Sequence, residues 1–90
     1  MPRLPRIVLR PDQYVALVRW SRGGSTPYRL VKRAQIVLLA SEGRNNREIA
    51  RAVGVNPITV RRWRSRFRLL GLEGIRRDAP RLGSPPPVFF

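Results

Sequence analysis

Two short segments near the middle of the chain are bounded by residues that start and stop helices, and a single turn separates them. Asn45 precedes the first segment, and Glu48, three residues later, can bond back to the Asn45 backbone as in a capping box. Gly54 ends this segment, and Asn56 followed by Pro57 starts the next. The pattern predicts two helices joined by a tight turn.

The residue types on either side of this turn are those that a helix-turn-helix from Asn46 to Ser65 requires. Ala50 is small enough for the helices to approach closely, and Gly54 permits the turn. The residues expected in the shared core are Ile49, Val53, Val55, Val60 and Trp63. The second helix is predicted to end at Gly71, because its apolar residues recur every three or four positions up to that point. This stripe consists of Val60, Trp63, Phe67 and Leu70.

Two further helices are predicted before this motif. Pro11 suits a first helical position, and an apolar stripe follows it as far as Gly23. That stripe consists of Tyr14, Leu17 and Val18. Thr26, followed by Pro27, is predicted to cap a longer helix that ends at Gly43.

The longer helix is expected at the centre of the fold. Its apolar run from Ile36 to Ala40 covers most of the helix circumference, so both faces need covering there. Arg29, Lys32 and Arg33 are expected on its polar side. The predicted fold class is all-α, a small bundle of about four helices.

The composition at the two ends of the chain differs from that of the middle and predicts three regions. These are a basic extended arm (1–10), a helix-turn-helix domain (11–71, motif 46–65) and a Pro/Gly/Arg-rich linker or tail (72–90). The arm carries Arg3, Arg6 and Arg10, and its apolar residues Ile7, Val8 and Leu9 can dock on the bundle. Leu72 and Ile75 can do the same at the other end.

The charge balance points to a polyanionic partner. The chain has 19 Lys and Arg against 5 Asp and Glu, a formal net charge of +14. It has no Cys and no His, which excludes disulfides, zinc fingers and thiolate or imidazole catalysis. The acids are scattered, so we expect no catalytic residue, metal site or cofactor.

We also expect neither a membrane partner nor a signal peptide, and we place the protein in the cytoplasm. The longest apolar run, Ile36 to Ala40, is much shorter than the ~20 residues that span a bilayer.

The outer face of the second motif helix is the predicted contact with double-stranded DNA. With the apolar stripe facing inward, Ile58, Arg61, Arg62 and Ser65 point outward, flanked by more arginines. Arginines that have no acidic residue among them repel one another, and DNA phosphates would supply the missing counter-charge. The predicted DNA-binding residues are Arg61, Arg62, Ser65, Ile58, Thr59, Arg64, Arg68, Asn56 and Arg47.

Some of these residues have a second interpretation. Trp63 and Phe67 could stack on bases as in single-strand binders, but aromatic residues on a shared helical stripe favour a core. Arg44, Arg47 and Arg51 could either contact phosphates or simply form soluble surface.

Four stretches of the chain carry a family resemblance: residues 33–40 (RAQIVLLA), 46–50 (NREIA), 59–63 (TVRRW) and 71–74 (GLEG). They resemble the N-terminal DNA-binding region of mariner-related bacterial insertion-sequence transposases. The resemblance implies a homeodomain-like module that binds the terminal inverted repeats of the element. In that family a ribonuclease-H-like domain with an acidic, metal-binding triad follows the module.

No such triad follows here, so the expectation is a truncated or frameshifted transposase without its catalytic half. Self-association or a downstream catalytic polypeptide is then a candidate partner interaction, and the protein would be associated with the nucleoid. Pro57 and Ile58 replace a pair that is usually polar in the family. Direct readout would then rest on Arg61, Arg62 and Ser65, with Ile58 limited to apolar contact.

Two alternatives remain open at this point. The first is a small DNA-binding repressor or transposition inhibitor. The second is a basic RNA-binding protein that recognises backbone shape without reading a groove.

Overall fold

The computed structural model describes residues 7–77, and five helices joined by short connections make up this part of the chain. The helices are α1 (Pro11–Ser21), α2 (Tyr28–Ser41), α3 (Asn46–Val53), α4 (Pro57–Leu70) and α5 (Leu72–Arg76). No strand occurs within residues 7–77. The predicted all-α class is confirmed, with one helix more than expected.

The caps of α3 and α4 form as predicted. Asn45 Oδ1 accepts a hydrogen bond from the Glu48 backbone N–H at 2.8 Å, and the Asn45 N–H donates to Glu48 Oε1 at 3.1 Å. Asn56 Oδ1 accepts from the Ile58 N–H at 2.7 Å, with Pro57 at the first helical position. Gly54 ends α3 with φ 82°, a left-handed conformation that glycine adopts without steric cost. These local bonds fix the ends of both motif helices.

The predicted start of α2 is wrong by one residue. Pro27, not Thr26, is the N-cap of α2, and its φ of −57° and ψ of 142° are those of extended polyproline backbone. The Pro27 carbonyl accepts the first helical hydrogen bonds, from the N–H groups of Leu30 and Val31. Thr26 therefore lies one position outside the helix and does not cap it.

The core surrounds α2, which packs against each of the other four helices. Ile36, Val37 and Ala40 of α2 are fully buried, as the continuous apolar run in this segment predicts. The core is completed by Leu17 of α1, Ile49 and Val53 of α3, Val60 and Phe67 of α4, and Ile75 of α5. Leu38 and Leu39 of the same run pack against this core but are only partly buried, so neighbouring helices cover most, and not all, of the α2 circumference.

Two residues predicted to be buried are exposed. Tyr14 of α1 is 54% exposed and Leu70 at the end of α4 is 52% exposed. On α1 the buried position belongs instead to Gln13, whose Oε1 accepts a hydrogen bond from the Arg10 backbone N–H at 3.0 Å. Gln13 thus acts in the first turn of α1 as Glu48 does in α3.

The segment that precedes α1 packs on the bundle where the structure describes it. Ile7 is buried and Leu9 packs against the core, while Val8 between them points to solvent. This alternation is that of an extended segment with one face on the core. The basic arm predicted for residues 1–10 therefore docks through Ile7 and Leu9, whereas Arg3 and Arg6 lie outside the described residues.

The tail predicted from residue 72 onward begins instead as α5. Ile75 is fully buried, and Gly74 packs against the backbone of α4. Glu73 forms ion pairs with Arg76 at 2.6 Å and with Arg77 at 3.4 Å on the exposed side. The helical bundle therefore continues through Arg76, beyond the predicted boundary at residue 71. The rest of the predicted tail, 78–90, lies outside the described residues.

Candidate nucleic-acid interface

Helices α3 and α4 form the predicted helix-turn-helix. They pack against each other, and Ile49 and Ala50 of α3 and Val60 of α4 are buried in the core. The Ala50 carbonyl accepts from the N–H groups of both Gly54 and Val55, at 2.8 and 3.0 Å, and this closes the turn. The turn leaves one long side of α4 facing away from the bundle.

The exposed side of α4 carries most of the residues predicted to contact DNA. Ile58 is 66% exposed, and Arg61, Arg62, Ser65 and Arg68 are exposed with it. Thr59 is half-buried at the edge of this side, towards α2. Arg47 is exposed on α3, and Asn56 is exposed while its Oδ1 caps α4. Eight of the nine predicted residues are thus exposed or half-buried, and six of these eight lie on α4.

The ninth, Arg64, is not on this surface. It is only 6% exposed, and its Nη1 donates a hydrogen bond to the Arg44 carbonyl oxygen at 3.2 Å. Burial lowers the pKa of the Arg64 guanidinium, and the nearby positive charge of Arg68 lowers it further. The expectation that Arg64 flanks the exposed face is therefore wrong. Arg64 connects α4 to the residue before the α3 cap.

Trp63 is a core residue, as the stripe on α4 predicted, and it is only 7% exposed. The Arg33 guanidinium lies 3.9 Å from the centroid of the Trp63 ring, and that of Arg66 lies 4.7 Å from it. Such cation–π contacts stabilise a desolvated pair by ~2 kcal/mol. They also restrict the rotation of α4 about its axis, since the ring cannot turn without leaving its cationic neighbours.

Arg33 is buried, although the sequence places it on the polar side of α2. Its Nη1 donates to the Ile75 carbonyl oxygen at 3.2 Å, at the C-terminal end of α5. Arg33 therefore joins α2, α4 and α5. No local pattern identifies it or Arg64, because the acceptors of both side chains come from distant parts of the chain.

The charges on α4 have no counter-charge within the helix itself, which contains five arginines and no acid. The acids of residues 7–77 instead interact with nearby residues in sequence: Asp12 with Arg10, Glu42 with Arg44, Glu48 with the Asn45 backbone, and Glu73 with Arg76 and Arg77. The exposed face of α4 is consequently a concentrated positive surface that attracts a polyanion.

The described residues contain no cluster of three or more potential metal-ligating acidic residues. None of the helices from α1 to α5 combines the length and the apolar character that a bilayer crossing requires.

The homeodomain-like domain family provides the match for this arrangement. Its family model aligns with residues 27–76, more than half of the chain, from the N-cap of α2 to the end of α5. The chain therefore belongs to the homeodomain-like domain family, and residues 27–76 form a helix-turn-helix DNA-binding region. No curated protein and no solved structure matches the chain. Helix α1 lies before the matched residues and packs on α2.

Proposed function

We propose that the protein binds double-stranded DNA by placing α4 in the major groove. The observation that carries this proposal is the acid-free arginine surface of α4, held outward by a homeodomain-like helix-turn-helix. A helix with its side chains is about 10 to 12 Å across, and the major groove of B-DNA is about 12 Å wide. The exposed side of α4 therefore fits the groove along its length.

The side chains on this surface have distinct roles in the proposed complex. Arg61 and Arg62 can each donate two hydrogen bonds to O6 and N7 of guanine, and the Ser65 hydroxyl can bond to a base edge. Ile58, at the first turn, can offer an apolar contact to a thymine methyl group. The phosphate contacts are assigned to a separate set of residues: Arg47, Asn56, Thr59 and Arg68.

We further propose that this module recognises the terminal inverted repeats of a bacterial insertion sequence. The stretches that resemble mariner-related transposases coincide with parts of the domain: residues 33–40 lie in α2, 46–50 in α3, 59–63 in α4 and 71–74 at the start of α5. The resembling stretches thus include parts of α2, of both helices of the helix-turn-helix and of the helix after it, but not the turn between α3 and α4. In this role the module would also associate with a second copy of itself or with a separate catalytic polypeptide.

A binding titration tests both levels of the proposal. Fluorescence anisotropy would measure affinity for a duplex from the ends of the genomic element, a scrambled duplex and a duplex RNA, at several salt concentrations. We expect the element-end duplex to bind best, and we expect this preference to persist as salt rises. Equal affinity for the two DNA duplexes would refute the inverted-repeat proposal. Equal affinity for duplex RNA would refute groove reading by α4.

Substitution of Arg62 tests the position of α4. Arg62→Ala should weaken binding to the preferred duplex by about 1 to 3 kcal/mol, with a smaller loss on the scrambled duplex. Arg19→Ala is the matched control, since Arg19 is an exposed arginine on α1. If both variants lost affinity equally on both duplexes, net charge alone would explain binding and α4 would not be the reading helix.

A further inference from the structure

A cationic cleft lies beside the exposed face of α4, between the start of α2 and the turn of the motif. We call it the turn cleft, and its rims are formed by Tyr28, Arg29, Lys32, Gly54, Val55 and Thr59. Its floor includes Trp63 and the stacked Arg33. The turn cleft thus brings three basic side chains together with two aromatic rings, and none of its lining residues is acidic.

Lys32 holds the two rims of the turn cleft together. Its Nζ donates a hydrogen bond to the Val53 carbonyl oxygen at 2.5 Å, at the C-terminal end of α3. The same ammonium lies 5.2 Å from the centroid of the Tyr28 ring. An ammonium group has three donors, and the bond to Val53 uses one of them. Lys32 can therefore stabilise the turn and contact an anion in the cleft at the same time.

The rim residues nearest the cleft mouth are accessible. Tyr28 is 72% exposed, and Arg29, next to it in sequence, is also exposed. Both residues line the turn cleft, and phenol and guanidinium groups are among the side chains that bind DNA phosphates. The chemistry of the turn cleft thus suits a phosphodiester oxygen better than an apolar ligand.

The turn cleft adjoins only one flank of α4. Thr59 belongs to both the cleft and α4, whereas Arg61 lies about 160° away around the helix axis at 3.6 residues per turn. Arg68 lies close to the direction of Arg61, so these two arginines form one group on the flank of α4 that faces away from the turn cleft. Because the two walls of the major groove are different DNA strands, a helix that lies in the groove presents its two flanks to different strands.

We infer that the turn cleft binds a backbone phosphate of the DNA strand on the α2 side of α4, while Arg61 and Arg68 face the opposite strand. This inference rests on the proposed placement of α4 in the major groove. The domain then holds both strands that border the groove, with Arg29 and Lys32 as the phosphate ligands on one side. Contacts of this kind fix the orientation of a recognition helix and carry no sequence information.

The test compares Arg29→Ala with the control Arg19→Ala by anisotropy titration of the same duplex over a range of salt concentrations. Loss of one phosphate contact reduces the slope of log K against log salt by about 0.9. Between 50 and 200 mM salt, the wild-type affinity should therefore fall about 3.5-fold more than that of Arg29→Ala. The affinity that Arg29→Ala loses relative to the wild type should be equal on the preferred and the scrambled duplex. Arg19→Ala should keep the wild-type slope.

Neutral methylphosphonate linkages, placed one at a time along each strand, locate the contact. For the wild type, one or two adjacent linkages on a single strand should weaken binding, and Arg29→Ala should be insensitive to those same linkages. Lys32→Gln, which retains an amide donor for the Val53 carbonyl, should show the same insensitivity. Thermal melting of each variant separates a lost contact from a lost fold.

The outcomes distinguish this inference from the function on which it rests. If Arg29→Ala kept the wild-type salt slope and methylphosphonate pattern while Arg62→Ala lost affinity, the turn cleft would not be a phosphate site and groove binding by α4 would stand. If the wild type did not bind duplex DNA, both proposals would fail. If Arg29→Ala and Arg68→Ala each lost sensitivity to linkages on the same strand, the two-strand arrangement would be wrong.

Discussion

Gly74→Ala is a substitution for which helix preference and packing predict opposite effects on stability. Gly74 lies within α5, where alanine is favoured over glycine by about 1 kcal/mol. However, a Cβ at this position would overlap the Arg66 carbonyl oxygen of α4 and lie 2.9 Å from both the Arg66 carbonyl carbon and Leu70 Cβ. The backbone of α4 cannot yield without breaking its own hydrogen bonds, so α5 must move away.

The size of the effect follows from what α5 contributes. Ile75 is fully buried, and burial of such a side chain stabilises a fold by about 1.5 to 3 kcal/mol. Displacement of α5 also removes the Ile75 carbonyl from Arg33, and a hydrogen bond from a charged group contributes about 1.5 to 3 kcal/mol. Allowing for partial relaxation and for the helix preference of alanine, we expect a net loss of about 2 to 4 kcal/mol.

Thermal unfolding followed by circular dichroism measures this loss. In a domain of this size, 1 kcal/mol corresponds to about 4 to 8 °C, so the midpoint for Gly74→Ala should fall by roughly 10 to 30 °C. Glu73→Ala is the control, because Glu73 is exposed and its ion pairs with Arg76 and Arg77 contribute at most ~1 kcal/mol each. A Gly74→Ala protein that melts at or above the wild-type temperature would refute the tight contact between α5 and α4.

Three further substitutions test the other contacts that position α4. Arg64→Met should destabilise the fold by about 1 to 3 kcal/mol, because the Arg44 carbonyl loses its partner, and an unchanged melting midpoint would show that the contact is unimportant. Asn45→Ala should cost about 1 kcal/mol while Asn45→Ser restores most of the loss, and equal midpoints for the two variants would argue against the cap. Trp63→Ala removes a buried ring, at about 3 to 5 kcal/mol, from a chain whose total stability should be about 5 to 13 kcal/mol. Retention of full helicity and cooperative melting by this variant would contradict its place in the core.

The parts of the fold that sequence predicts well are those decided within a few residues. The Asn45 and Asn56 caps each depend on side chains two or three positions from the backbone they bind, and both form. The same holds for Gly54, whose left-handed conformation is a property of its own backbone. Thr26 shows the limit of such rules, because Pro27 has the extended ψ that makes it the residue before the helix.

The parts that sequence predicts poorly depend on where a neighbouring element ends. Helical periodicity correctly groups Leu70 with Val60 and Phe67, but it does not show how far along α4 the covering helices extend. Helix α5 is too short for a periodic pattern, and only Leu72 and Ile75, three residues apart, indicate a buried side. Arg64 is the clearest case among the predicted site residues. Its burial depends on the Arg44 carbonyl, twenty residues away in sequence.

The acid-free surface of α4 also affects how the protein would find a target in the proposed function. Arg61, Arg62 and Arg68 are exposed on a helix that contains no carboxylate, so any duplex that the protein meets can bind this surface with release of counterions. In a solution that contains long DNA, the protein would therefore spend most of its time in nonspecific complexes. It would then reach its target by sliding and hopping along DNA, and the time it needs would depend on ionic strength through the lifetime of each nonspecific encounter.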